Sequence, residues 1–302
     1  MLFRPCQTRV LRAFLFTLCL SLLGISLTLL GILVWETVGF FTHVNPFEFF
    51  LGLVWNPTVT DSGECLFFGS VPLICGTLLI TFVTLCVAAP LGIGGAIYVA
   101  EYLSPRNRRR VKGILEFLSG IPTIVYGVTA ALTIAPLLNG WGQWLGLEIS
   151  FESAVVSGLV MGLMNFPFVV SLSDEILRAI PAYVRSSGLA LGATQSEVIR
   201  KLVLPASIPG LTAVITLAVA RTIGETMIVV MATGLSAQLT LNPFAPATTL
   251  TAQLTSLITG DQSPGSPKTQ AAFALGLLLF AVTFVLNLMA TRVVRKYKVR
   301  YA

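Results

Sequence analysis

The sequence predicts an all-α integral membrane protein with six spanning helices, and three observations carry that prediction. The first is composition: 55% of the 302 residues are hydrophobic and 11% are charged, with a mean hydropathy of +0.87. That much apolar surface cannot be hidden inside a water-soluble fold. The second is a set of six windows almost free of charge, each longer than the roughly 18 to 20 residues a spanning helix needs. The third is the placement of Lys and Arg, which cluster on alternate connections between those windows.

Arg4, Arg9 and Arg12 precede the first window, Ala13 to Trp35. The window is long for the apolar region of a signal peptide and no small-x-small site closes it, so a retained helix is expected. Residues 1–12 then form an N-terminal segment and 13–302 a single six-span domain. The outer segment Thr37 to Glu64 combines Phe40, Phe41, Phe47, Phe49, Phe50 and Trp55 with Asn-Pro turns at 45–46 and 56–57, which predicts an interfacial elbow. The second window, Cys65 to Ala100, leads to Arg106, Arg108, Arg109, Arg110 and Lys112. The third, Phe117 to Leu147, runs into a second outer segment, Asn139 to Glu152, whose Trp141 and Trp144 predict a stretch lying flat at the headgroups. The fourth window, Ser153 to Ser173, is followed by Arg178, Arg185, Arg200 and Lys201. The fifth, Leu202 to Ala220, continues past Arg221 and Glu225 to Gly234. A long outer loop over 235–270 contains a Pro-bounded piece at Asn242 to Pro246, an amphipathic Thr248 to Ile258 and the stretch GDQSPGSPK at Gly260 to Lys268. The sixth window, Thr269 to Thr291, ends before Arg292, Arg295, Lys296, Lys298 and Arg300.

The opposite connections hold a single basic residue, Lys268. By the positive-inside rule both termini and the connection carrying Arg185 are expected on the cytoplasmic side of the membrane, and the 235–270 loop on the opposite side. The net charge of +6 is read as this topology signal and not as a nucleic-acid footprint, because the basic residues are scattered without aromatic interleaving. Cys6, Cys19, Cys65, Cys75 and Cys86 have neither metal-site nor disulfide spacing, and His43 stands alone. No metal site and no catalytic residue are expected.

Two motifs carry the functional reading. Between the fourth and fifth windows, within 181–205, the chain reads SSGLALGATQSEVIRKLVLP from Ser186 to Pro205. The expected geometry is a short helix (Ser186 to Leu191), a turn at Gly192, and a second helix stopped by Pro205, which lacks a donor and clashes with the preceding turn. Such a segment is a two-helix knob outside the membrane. The second motif is ARTIGETM, which puts Arg221 and Glu225 inside a span, four residues apart and so on one face of a continuous helix. An intramembrane charge costs roughly 2.5 to 3.5 kcal/mol on insertion scales and faces a cavity or a partner. Arg221 suits a passing oxyanion because its planar fork can donate two parallel hydrogen bonds, with Glu225 orienting it and limiting how tightly the anion is held. The same pattern also fits a self-neutralising ion pair that pins two helices, or an Arg that snorkels to the outer headgroups.

The 181–205 segment resembles the cytoplasmic coupling loop of ABC-importer permeases, in which Glu-Ala-Ala, a later Gly and a closing Ile-x-Leu-Pro recur. Here Ser186, Ser187 and Gly188 stand at Glu-Ala-Ala, so an acidic contact is missing; Gly192, Ala193, Thr194, Leu202, Leu204 and Pro205 complete the match. Together with LRAIP at 177–181, LSGIPTIVYG at 118–127, PLGIGGAIYVAEYLSP at 90–105 and ARTIGETM, the chain from about Trp55 to Leu288 resembles PstC-type permease subunits of bacterial phosphate importers. The resemblance implies half of a translocation pathway, completed by a second, PstA-type permease. It also implies two cytoplasmic PstB-type ATPase subunits that bind ATP and Mg, and a periplasmic PstS-type phosphate-binding protein. It places Arg221 and Glu225 on the substrate path. The chain itself has no Walker-type phosphate loop, so no cofactor of its own is expected. Import of another oxyanion (sulfate or molybdate), the PstA-type role and a secondary anion transporter remain alternatives. The last would call for relay carboxylates and repeated halves, whereas Glu225 is the one clearly central acid.

Overall fold

A computed structural model describes residues 5–57, 67–259 and 266–298. Arg4, Cys65, residues 260–265 of the GDQSPGSPK stretch and Arg300 lie outside the described residues, as do the side chains of Cys6, Arg9, Arg295, Lys296 and Lys298. Among the described residues, six helical segments are long and apolar enough to cross a membrane: Arg12–His43, Val71–Tyr102, Thr123–Leu145, Ala154–Ala179, Gln195–Ile223 and Pro267–Met289. They follow the six windows in order.

Helix α1 (Pro5–His43) runs past Trp35 and through Glu36, because nothing breaks it before Asn45-Pro46. The elbow therefore starts later than the sequence predicts. Asn45 accepts from the Phe47 amide at 3.0 Å and caps α2 (Pro46–Leu51), whose first turn holds the proline. Strands β1 (Trp55–Asn56) and β2 (Phe67–Phe68) pair antiparallel. Phe40, Phe49, Phe68 and Trp55 meet edge to face with centroids 5.3 to 5.8 Å apart. The elbow is thus a packed aromatic cap, the arrangement ring quadrupoles favour.

The centre of the fold is the pair α3 (Val71–Ile97, extended by a wide π turn, Tyr98–Tyr102) and α7 (Ala154–Ala179). Small residues set their approach. A Cβ added at Gly92 would lie 2.5 Å from Val169 Cγ1, and one at Gly158 2.5 Å from Val83 Cγ1. Without a hydrophobic force between helices in lipid, such close backbone contact supplies the attraction. Outside this pair, α4 (Pro105–Ser119) is a basic helix, and the third span is built from α5 (Thr123–Thr129), a π turn (Ala130–Ile134) and α6 (Ala135–Leu145). Trp141 and Trp144 are exposed on α6 itself, and Gly146 in left-handed geometry (φ 71°) ends that helix. Residues 139–145 are therefore the end of a spanning helix and not a flat interfacial stretch, since the helix runs unbroken through Gly140 and Gly142 as far as Gly146. The remaining helices are α8 (Ala182–Ala190), α9 (Gln195–Val198), α10 (Leu204–Ile223), α11 (Met227–Ala232), α12 (Leu250–Thr259) and α13 (Pro267–Lys298). Helix α13 packs on α1, α10 and α12. Helix α12 buries Leu250, Ala252 and Leu257 together with Thr251 and Gln253, and Gln253 accepts from Trp55 Nε1 at 3.2 Å.

Candidate functional site: the 181–205 knob and the break at Gly224

The knob folds as two short helices around Gly192, whose φ of +84° is the left-handed geometry that glycine adopts without strain. The amides of Gly192 and Ala193 bond back to the carbonyls of Leu189 and Gly188 at 3.0 and 3.2 Å, closing α8. Thr194 then opens α9 through a capping box: its hydroxyl accepts from the Glu197 amide at 3.3 Å, and Glu197 Oε2 accepts from the Thr194 amide at 3.0 Å. Gly188 is buried where the second arm crosses α8; a Cβ there would meet Leu202 Cδ1 and Val198 Cγ2 at 2.8 Å. The position must be small because the two arms touch at it. Ser186, Ser187, Thr194, Leu202 and Pro205 are exposed, Ala193 and Leu204 half-buried. Leu191, at the tip, is 89% exposed, the most exposed large apolar side chain among the described residues.

Pro205 does not stop the second helix. The helical path continues from Gln195 through a π turn at Ile199–Val203 into α10, where Pro205 occupies the first turn. At that position the missing N–H costs little, and the widened turn takes up the bond the proline ring would otherwise break. The first arm likewise starts earlier than predicted, at Ala182, and ends at Ala190.

Two acids absent from the sequence-based site brace this region. Glu101, on the π turn ending α3, accepts from Arg185 of α8 through three short bonds, Nε at 3.2 and 3.1 Å and Nη2 at 2.6 Å. Arg185 also donates to the carbonyls of Leu177 and Ile180, each at 2.8 Å. Gln195, opening α9, donates to the backbone carbonyl of Glu101 at 2.9 Å. Asp174, buried near the end of α7, accepts from Arg108 Nε at 3.1 Å and lies 3.1 Å from Lys112 Nζ, which fastens α4. In the sequence both acids flank an apolar window beside an Arg-rich connection, and that juxtaposition is the signal that could have found them.

Arg221 and Glu225 are not on one helix. Helix α10 ends at Ile223, Gly224 caps it, and Glu225 follows on the break before α11. Gly224 and Thr226 are poor helix formers, and Thr251 of α12 bonds to the break by donating to the Glu225 carbonyl at 2.8 Å. Among the described residues neither side chain is within ion-pair distance of an opposite charge. Arg221 instead lies over the Phe168 ring of α7, 5.2 Å from its centroid. One turn earlier on α7, fully buried Asn165 donates to Thr222 Oγ1 at 3.0 Å. The self-neutralising pair is therefore not what this geometry contains: the half-buried guanidinium rests on the Phe168 ring.

A family model described as "Binding-protein-dependent transport system inner membrane component" matches residues 92–299. The chain belongs to this family. The matched region holds the knob, its braces and the break at Gly224. Relatives of this inner membrane component include a probable ABC transporter permease protein, YqgH, of Bacillus subtilis, 32% identical and covering 82% of this chain and 77% of the relative. The phosphate transport system permease protein PstC of Mesorhizobium japonicum is 33% identical, covering 81% and 77%. A PstC 1 protein of Mycobacterium tuberculosis is 31% identical, covering 84% and 83%. Among solved structures, a bacterial alginate ABC transporter with its alginate-bound periplasmic protein aligns over 96% of each chain with a TM-score of 0.63 at 16% identity. The inward-facing MetNI methionine transporter aligns over 75% of this chain and 93% of that one, at 0.54 and 18%. The family member described here is thus a multi-pass inner-membrane permease subunit of an ABC importer.

Proposed function

We propose that the chain is the PstC-type half of a phosphate importer, with a PstA-type permease beside it, PstB-type ATPases seated on the 181–205 knob from the cytoplasm and a PstS-type binding protein on the periplasmic side. The observation that carries the reading is Arg221: a guanidinium in the fifth span, laid over Phe168 with no carboxylate in ion-pair range among the described residues. A cation kept available inside a membrane suits a dianionic or monoanionic oxyanion, and the fork geometry suits tetrahedral phosphate. Names of relatives such as the Mesorhizobium PstC agree with that choice of cargo. Glu225, just beyond the break, borders the route and keeps the anion from settling on Arg221. The exposed surfaces of Ser186, Ser187, Thr194, Leu202 and Pro205 meet the ATPase, and both chain ends lie on the same, cytoplasmic face. A motor is required because importing one negative charge against an inside-negative potential costs roughly 2.3 kcal/mol per 100 mV; ATP and Mg belong to the ATPase partner.

The test is phosphate uptake, with sulfate as control, in cells that depend on this chain. Truncating one side of a desolvated charge contact costs about 2–5 kcal/mol, so Arg221→Gln is expected to lower phosphate uptake about thirty-fold or more while complex yield is retained. The double variant Arg221→Gln with Glu225→Gln is expected to stay inactive. Recovery of uptake in the double variant would show that no cation is needed on the route and would sink the assignment.

A further inference from the structure

One residue joins both arms of the knob to the membrane core. Glu101 offers its carboxylate to Arg185 of α8 and its backbone carbonyl to Gln195 of α9, so each arm is tied to the end of α3 through a different group of the same residue. The Glu101 side chain is 7% exposed and that of Arg185 24%. Arg185 is held in place by the Leu177 and Ile180 carbonyls at the end of α7, the helix on which α3 is packed through Gly92. Position 101 falls on the π turn, where the ladder is widened and the last carbonyls have no helical partner. Apart from the chain continuity through α7 and α10, these are the polar links that the described residues place between the knob and the spans. A pair this close, bidentate and mostly out of water is a rigid strut.

We propose that Glu101 is the latch through which displacement of the knob is passed to the α3–α7 core. The proposal rests on the reading that the ATPase seats on 181–205. Glu101 touches neither ATP nor cargo; it acts by positioning Arg185 and Gln195. If the strut is cut, the knob can follow the ATPase without carrying α3 along, so ATP turnover continues and transport per ATP falls.

The experiment uses the whole complex with its permease, ATPase and binding-protein partners in vesicles, measuring complex yield, ATP hydrolysis with and without loaded binding protein, and anion moved per ATP. Glu101→Gln keeps the shape but turns an N–H toward guanidinium donors. Glu101→Gln is expected to lower anion moved per ATP about ten-fold, Arg185→Gln at least as much because it also gives up its bonds to the Leu177 and Ile180 carbonyls, and the double variant no more than Arg185→Gln alone. Exposed Gln195→Ala removes the α9 link alone and is expected to give a smaller loss, two- to three-fold, at full yield. Leu191→Asp, at the exposed tip, separates the two ideas: it is expected to abolish stimulated hydrolysis by unseating the ATPase. If Leu191→Asp hydrolyses normally, the docking reading and the latch both fall. If it does not, while Glu101→Gln and Gln195→Ala move as much anion per ATP as the parent chain, the latch alone falls. Multiplying losses in the Glu101→Gln, Arg185→Gln double variant also overturn it, as does a loss explained wholly by yield with Gln195→Ala fully coupled.

Discussion

Gly158→Ala is expected to destabilise the α3–α7 pair by about 1–3 kcal/mol, the range for forcing a methyl into a packed interface. The added Cβ would sit 2.5 Å from Val83 Cγ1, 2.7 Å from Val83 Cβ and 3.4 Å from the Thr84 amide nitrogen. Rotating Val83 can move its Cγ1, but its Cβ is fixed to the backbone, so the helices themselves must part. A loss of this size is a factor of about 5 to 150 in the folded-to-unfolded ratio, at 1.4 kcal/mol per tenfold. The assay is thermal unfolding of the purified subunit or complex in detergent, read as the temperature at which monodisperse protein is lost. Val83→Ala in the same chain removes the clashing carbons, and the double variant is expected to regain at least half of the loss. Gly94→Ala is the control: it lies on the same helix as Val83, no atom stands within 4 Å of its added Cβ, and it is expected to be neutral or stabilising by up to about 1 kcal/mol. Equal stability of Gly158→Ala and the parent chain, or a double variant no better than the single, would refute close backbone approach as what holds this pair together.

Two other outcomes follow from particular side chains. Pro205→Ala is expected to leave complex yield and unfolding temperature close to the parent, within about 1 kcal/mol, because the proline sits in a first turn that it does not terminate; a larger loss of yield or of unfolding temperature in that variant would restore it as a helix stop. Asp174→Asn leaves Arg108 and Lys112 without their shared carboxylate, and since those cations are 17% and 26% exposed and can rehydrate, the cost is expected near 2 kcal/mol, below the 3–5 of a sealed pair, measurable by the same unfolding assay.

The spans were legible because their signal is collective: a mostly apolar run of 23 to 32 residues outvotes any local irregularity, so the windows beginning at Ala13, Cys65, Phe117, Ser153, Leu202 and Thr269 each overlap a helix long enough to cross. The Gly192 turn was legible because only a left-handed residue lets two helices reverse there. What misled were single residues read out of context. Pro205 looks like a terminator until the preceding π turn absorbs its missing donor. Arg221 and Glu225 look like one face of a helix until Gly224 ends it and Thr251, twenty-six residues on, bonds the break. Glu101 and Asp174 acquire meaning only when helices far apart in the chain bring Arg185 and Arg108 to them. Periodicity carries no information about such meetings.

Helix α1 packs on α13, the last helix of the chain, through Phe40, Ala271 and Leu275 at one end, while the hydrophobic stretch from Phe14 to Leu29 stands open to its surroundings. During synthesis the first span must therefore reside in the bilayer without its mate until residue 267 and beyond have left the ribosome. At roughly 5–20 residues per second that interval is on the order of ten to forty-five seconds. The helix is equipped to wait. Thr17, Ser21, Ser26 and Thr28 each return their hydroxyl to a carbonyl of their own helix, on Phe14, Leu18, Leu22 and Gly24, so no polar group there asks the lipid for a partner. Insertion and assembly are separable steps for this chain, with the first span acting as a solitary anchor long before it is part of a bundle.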